Sequence, residues 1–398
     1  MSLCKQVTAA LSITLLTTVV CVSRTDAAGT HNTLTAKELA EGWVSLFDGK
    51  TIFGWTAANK ADWKVVDGVI VVTSGEKGLL HTNTQFADYV LRLDFRSAKG
   101  TNSGVFLRTS PSPKNPKDGC YELNIAGLDS SPFPTGSLVA RKKYVKAGES
   151  SEWRTFEVTA KGDRITVKLD GKQVLDYTDP NPTRRGFIGL QKNEGKVEFR
   201  NVKLRPLSQQ SIFNGKDLDG WRPYPDHKAK VSVTDKGELW LRGGRGQLET
   251  LAKYGDFTLQ MDVFSGSKGS NSGVFFRSIP GEYTNGYECQ LQNTYGPKGG
   301  LKNLVDCGTG GICRRQRARK IVAEDLKWYQ LTLIADGPHI AAWVNGHQVS
   351  DFTDKRKKDK NPRRGLRTAP GTLILQVHDA TTDYRFRNLR AAEMAKRE

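Results

Sequence analysis

The chain has 398 residues, 37% of them apolar, with 60 Lys and Arg against 42 Asp and Glu and a formal charge of +18. That length allows two or three cores, and an apolar content that includes 8 Trp, 11 Tyr and 16 Phe excludes a disordered chain. Forty glycines without a strict period exclude a collagen-like one, and the positive charge describes the surface rather than the fold.

Residues 1–28 read as a signal peptide: Lys5, an apolar stretch from Ala9 to Val22, then the polar, small-residue run SRTDAAGT. The stretch is too short and too rich in Thr and Ser to span a bilayer, and no later segment approaches a transmembrane length. Val20 stands before Cys21 where lipid attachment calls for a small residue, so a lipoprotein is disfavoured. The expectation is an exported protein, periplasmic or extracellular, whose mature part keeps Cys120, Cys289, Cys307 and Cys313. Cys307 and Cys313 flank the loop CGTGGIC and are the disulfide candidate. No CxxC, HExxH or Cys/His cluster suggests zinc.

A short helical pattern at Leu34–Glu41 precedes a long internal repeat, and the charged C-terminal AAEMAKRE reads as helical as well. SLFDGKTIFGW at 45–55 returns as SIFNGKDLDGW at 211–221, and TNSGVFLR at 101–108 as SNSGVFFR at 270–277. GCYELNI at 119–125 returns as NGYECQL at 285–291, and the segment 152–179 is echoed at 327–354. The order of the blocks is kept while their spacing drifts, as loop insertions between fixed elements produce. Two related domains are therefore expected, at 42–206 and 209–393.

Inside each copy the period is two. RITVKLDG and HIAAWVNG alternate and end in Asp170-Gly171 and Asn345-Gly346, pairs suited to type I′ hairpin turns. Short strands separated by Gly and Asn turns predict an all-β fold of two antiparallel sandwiches or jelly rolls.

Read by face, Asn271, Gly273, Phe275 and Arg277 share one side of a strand, Glu288, Gln290 and Gln292 one side of another, and Gln376 and His378 a third. If these faces align, an Arg, a Glu, several carboxamides and a His line a solvated groove for a polar ligand; the bland reading is an ordinary solvent face. The first copy matches with Asn102, Arg108, Glu122, Asn124 and Gln191 but has Asn193 where the second has His378. Asn cannot exchange a proton near neutral pH, so the copies should differ as catalysts. His81, His227, His339 and His347 read as surface histidines.

The ordered blocks LFDGK with a following GW, NSGVFxR, YExx, a TG loop, the hairpin segment and LQ followed by FRN resemble the secreted 3-keto-disaccharide hydrolase domains, over nearly the whole mature chain and in two tandem copies. The resemblance implies concanavalin A-like jelly rolls similar to laminarinase-type glucanases, and activity on sugars whose C3 hydroxyl has been oxidised to a ketone. It singles out Arg277, Glu288, Gln290, Gln376 and His378, with Arg108, Glu122, Asn124 and Gln191 in the first copy. The TG loops depart from the family pattern, reading TGSLVA and TGGICRR.

A 3-keto sugar has an acidified C2 proton, so a base can remove it, the C1 substituent can leave, and water can add back. The expected roles are His378 as base, Arg277 as enolate or hydroxyl ligand, Glu288 as acid, and Asn271, Gln290, Gln292 and Gln376 as substrate contacts. Glu288 and His378 are also the residues that would hold a divalent cation, a thin ligand set that does not by itself call for a metal. The competing class is a non-catalytic tandem lectin-like protein. The basic runs RRQRARK at 314–320 and KRKKDKNPRR at 355–364 lack the interleaved aromatics of a nucleic-acid site; they read first as solvated loops and second as attraction to acidic or sulfated polysaccharide.

Overall fold

The computed structural model describes residues 31–224, 227–300 and 303–395; the signal-peptide reading and its two cysteines lie outside them. Two antiparallel sandwiches follow one another, each an eight-stranded sheet packed on a five-stranded one. In the second, the five-stranded sheet runs Trp221–Pro223, Gly246–Tyr254, Gly371–Val377, Ser272–Ser278, Tyr287–Leu291 across its width. The first repeats it with Trp55–Ala57, Gly78–Thr82, Phe187–Lys192, Asn102–Thr109 and Tyr121–Ala126. These are two tandem jelly rolls, with no helix among the described residues long and apolar enough to cross a membrane.

The repeated motifs have repeated jobs. In each copy the indole N–H of the GW tryptophan donates to a backbone carbonyl nine residues earlier, Trp55 to Leu46 and Trp221 to Ile212. Asp170-Gly171 and Asn345-Gly346 all take positive φ, as type I′ turns require. Thr35 and Glu38 close a capping box on the short α-helix Ala36–Ala40. The described part of the C-terminal segment does not form the expected helix: Asp383–Glu393 is a strand in which Tyr384, Phe386, Leu389 and Ala391 are buried, and residues 396–398 lie outside the described residues.

HIAAWV departs from the expected alternation, because every residue of His339–Val344 is buried, whereas Arg164–Leu169 alternates. Ile340, Ala342 and Val344 fill the second core, while Ala341 and Trp343, with Ile334 beside them, join the core of the first sandwich. The strand is thus apolar on both faces since its outer face is covered by the other copy. Trp343 donates its indole N–H to Ser45 O across this junction. His339 is buried there too, between Thr84 and Asp351, and His81 is buried against Phe187; neither is a surface histidine. Arg185 of the first sandwich, also buried, pairs with Asp336 and with Asp256 of the second.

Candidate active site

Arg277 is not part of the site. Its side chain is fully enclosed and donates to Gly255 O, Gly337 O, Arg367 O and the Asp256 carboxylate. Arg108 makes the same four contacts, to Ala87 O, Gly162 O, Thr183 O and Asp88. Both arginines sit at positive φ, 47° and 50°, beside a break in strand register. A bulge turns one residue out of alternation, so Arg277 leaves the face of Asn271 and Phe275 and clamps loops instead. The partner strand must have glycine here: a Cβ on Gly371 would lie 2.3 Å from Ser278 O, and one on Gly186 2.2 Å from the Arg108 backbone. Burial alone would raise the Asp256 carboxyl, but the Gly337 N–H and the guanidinium groups of Arg185 and Arg277 hold it below its usual range.

What remains of the expected set does converge. Asn271, Glu288, Gln290, Gln376 and His378 line one open cavity of about 940 Å³ in the second sandwich. Gln290 donates to Asn271 Oδ1 at 2.7 Å, and Asn271 donates to Asp306 at 2.8 Å. Glu288 stands opposite Phe275 in register, next to Gly273, where a Cβ would come within 2.7 Å of its carboxylate oxygen. The glycine of NSGVF makes room for the glutamate of YE on the adjacent strand. Gln292 lies one residue past its strand and turns away, donating to Gly269 O and accepting from Thr294.

Burial raises the Glu288 carboxyl above its ordinary range, against the opposing pull of the Cys313 thiol, Arg363 and His378. His378 is half-exposed, and its Nδ1 meets Asp379 at 2.8 Å. With Asp379 orienting Nδ1, Nε2 is the ring nitrogen left for a ligand. The hydroxyl and backbone N–H of Thr381, with His378, hold Asp379 down to about 2. A carboxyl that burial raises and an imidazole fixed by a carboxylate therefore face one cavity, which suits proton transfer in both directions.

Cys307 and Cys313 also line it, as free thiols and not the expected disulfide. The two side chains are hydrogen-bonded to each other, and Arg314 N–H donates to Cys307 Sγ at 3.2 Å. These contacts lower Cys307 to about 7 and, with burial, push Cys313 up. The equivalent loop residues of the first copy are Phe133 and Val139.

Several cavity residues were not legible from strand alternation: Asp306, Tyr283 and the five arginines Arg245, Arg314, Arg315, Arg317 and Arg363. The two basic runs were the signal for four of these arginines; they form cavity wall rather than solvated loop. Among the described residues no group of three or more His, Cys, Asp or Glu is placed to hold a metal ion.

The first copy keeps only part of this arrangement. Glu122 is 8% exposed, Asn124 donates to Phe133 O, and Asn193 replaces the histidine. Asn102 makes a backbone bridge to Glu194. Burial pushes Glu122 up to about 7, against the opposing hydrogen bond from Gln191. The folded protein then holds a proton between pH 4.5 and 7 that the unfolded chain has released, so this group's contribution to stability falls as pH rises through that window. Glu122→Gln should remove the decline and gain on the order of 3 kcal/mol over wild type at pH 8 relative to pH 4. Urea unfolding of both proteins at the two pH values checks this; an equal difference at both would refute it.

Two antiparallel jelly rolls, one with an acid and a histidine in an open polar cavity, define a carbohydrate-active sandwich protein. The chain belongs to the 3-keto-alpha-glucoside-1,2-lyase-like domain family, which matches residues 42–205 and again 208–392. It is similar to the 3-keto-disaccharide hydrolase of Bacteroides thetaiotaomicron, at 29% identity over 230 residues, covering 42% of this chain and 79% of the relative. It is also similar to an uncharacterized protein of Methanocaldococcus jannaschii, 24% identical over 173 residues, 37% of this chain and 72% of that one. Among solved structures, a Parabacteroides distasonis protein provisionally described as a glycosyl hydrolase aligns with 45% of this chain and 100% of its own, at 24% identity and a TM-score of 0.40.

Proposed function

We propose that the cavity of the second sandwich cleaves 3-keto-glycosides by elimination and hydration, and that the first sandwich does not. The observation that carries this is the meeting of a burial-raised Glu288 and an Asp379-oriented His378 in one open cavity, a pair the first copy breaks with Asn193. His378 Nε2 takes the C2 proton, which the neighbouring C3 ketone has acidified, and the electron pair passes into an enolate. The enolate collapses to form the C1–C2 double bond as the C1–O bond breaks, and Glu288 gives its proton to the departing oxygen. Water then adds across the double bond, hydroxyl to C1 and proton to C2, which regenerates both groups. The arginines of the cavity wall supply the positive field that the enolate needs, the role first expected of Arg277. Asn271, Gln290 and Gln376 offer amides to sugar hydroxyls.

The full chain incubated with α- and β-linked 3-keto-glucosides and the same glucosides unoxidised, with and without chelator, tests the reading. Release of the aglycone from the 3-keto substrates alone, with solvent deuterium appearing at C2, is expected. Equal cleavage of unoxidised glucosides, or binding of unmodified glycans with no turnover of any 3-keto substrate, would sink it; the second outcome is that of a lectin.

A further inference from the structure

Two of the four cysteines among the described residues behave as core filler: burial pushes the Cys120 thiol up to about 11 and raises the Cys289 thiol as well. Cys307 and Cys313 stand apart. Both line the open cavity, at the two ends of a loop held shut by hydrogen bonds from Gly311 N–H to Gly308 O and from Ala318 N–H to Cys307 O. A Cβ on Gly311 would lie 2.8 Å from the Cβ of Cys307, so this glycine lets the chain pass its own start two residues before Cys313. Arg314 N–H then reaches Cys307 Sγ at 3.2 Å, which puts that sulfur against the peptide that follows Cys313.

The pair is also tied to the acid. Cys313 N–H donates to Glu288 O at 2.8 Å, and the Cys313 thiol is hydrogen-bonded both to the Glu288 carboxyl and to Cys307. One thiol proton therefore stands between a carboxyl and a second sulfur. The contact with Cys313, together with the Arg314 N–H, holds Cys307 below the ordinary thiol range against the effect of burial. A sulfur enriched in thiolate, in the wall of an open cavity and touching a second thiol, is the arrangement in which one thiol is oxidised and its neighbour resolves it as a disulfide. The fold does not require it. In the first copy Val139 N–H donates to Glu122 O in the same way, but Val139 and Phe133 occupy the two positions, and neither side chain has a proton to offer Glu122.

We propose that Cys307 and Cys313 form a reversible oxidation site in the cavity wall, which a hydroperoxide closes to a disulfide and which thereby withdraws the thiol donor from Glu288; the effect on turnover rests on the glycoside-cleaving reading of the same cavity. The Cys307 thiolate attacks one oxygen of the hydroperoxide and the O–O bond breaks, leaving a sulfenic acid. The hydroxide or alkoxide that departs takes the proton Cys307 had released. The Cys313 sulfur then attacks the Cys307 sulfur, the S–O bond breaks, and the hydroxyl leaves as water with the Cys313 proton. The two thiols lose two electrons, which reduce the peroxide. Glu288, already raised by burial, rises further and loses a contact that aims it.

Treating the full chain with hydrogen peroxide and mapping its peptides without reduction, beside a 3-keto-glucoside assay, tests this. A link between Cys307 and Cys313, with Cys120 and Cys289 still thiols, is expected. So is a fall of about tenfold or more in kcat/KM, and dithiothreitol should reverse both. Cys307→Ser, measured against its own untreated rate, should ignore the oxidant, whereas Cys313→Ser should keep a sulfenic acid on Cys307 that dimedone traps. The infrared difference between reduced and oxidised protein should carry a carboxyl band that Glu288→Gln lacks, a readout that needs no turnover. Absence of the link, a link without that band, an unchanged rate in an active linked protein, or a rate loss as large in Cys307→Ser as in wild type would overturn the proposal. A protein that links and shows the band but cleaves no 3-keto-glycoside sinks the catalytic reading alone; one that cleaves and never links sinks the oxidation site alone.

Discussion

Replacing His378 by alanine should lower kcat/KM on a 3-keto-glucoside by about 10²- to 10⁴-fold, the usual worth of a positioned general base. The same change should leave thermal stability nearly untouched. The imidazole is half-exposed, and its Nδ1 pairs with the neighbouring Asp379. Asp379→Asn should act in the same direction but less strongly, because the carboxylate that holds the imidazole Nδ1 is replaced by a weaker partner. Solvent-deuterium exchange at C2 of the recovered substrate offers a second readout, which should vanish in the alanine variant. A His378→Ala protein that cleaves at the wild-type rate would remove the base assignment and leave Glu288 without its counterpart.

Arg277→Ala should do the opposite: a large loss of stability, ~3–5 kcal/mol, and little specific effect on the chemistry of molecules that remain folded. The change leaves three carbonyls and half of the Asp256 charge without their donor in an enclosed site. Because Asp256 also binds Arg185 of the first sandwich, the two arginines share one anion, and a double-mutant cycle between them should show coupling. Urea unfolding gives the stability, and KM at a temperature where the variant is still folded gives the rest. Lost activity at wild-type stability would return Arg277 to the site.

How far the sequence could be read depended on whether backbone alternation held. Glu288, Gln290, Gln376 and His378 sit on regular strands or their immediate ends, so period two put them on convergent faces, and the structure gathers them. Arg277 sits on the same kind of segment, yet the left-handed turn of its backbone carries it to the other side. A bulge has no pattern of apolar residues to announce it. Gln292 failed for a simpler reason, since its strand ends at Leu291. Asp306, Tyr283 and the cavity arginines arrive on loops whose convergence depends on sheet order, which no local period encodes. HIAAWV carried its own warning: a strand apolar at five of six places is covered on both faces, and the cover proved to be the other copy.

That cover changes how a duplicated chain should be thought of. The junction of Trp343, Ile334 and the Arg185–Asp336 pair resembles the buried seam of an obligate dimer, except that the two subunits are joined end to end. Cutting the chain near residue 208 would strip an apolar sheet face and take the Arg185 guanidinium from the buried Asp336, so the second half on its own would inherit a sticky wound. Whatever chemistry the first copy has of its own, it also serves as the cover of its companion's sheet face and as the source of the guanidinium that meets Asp336.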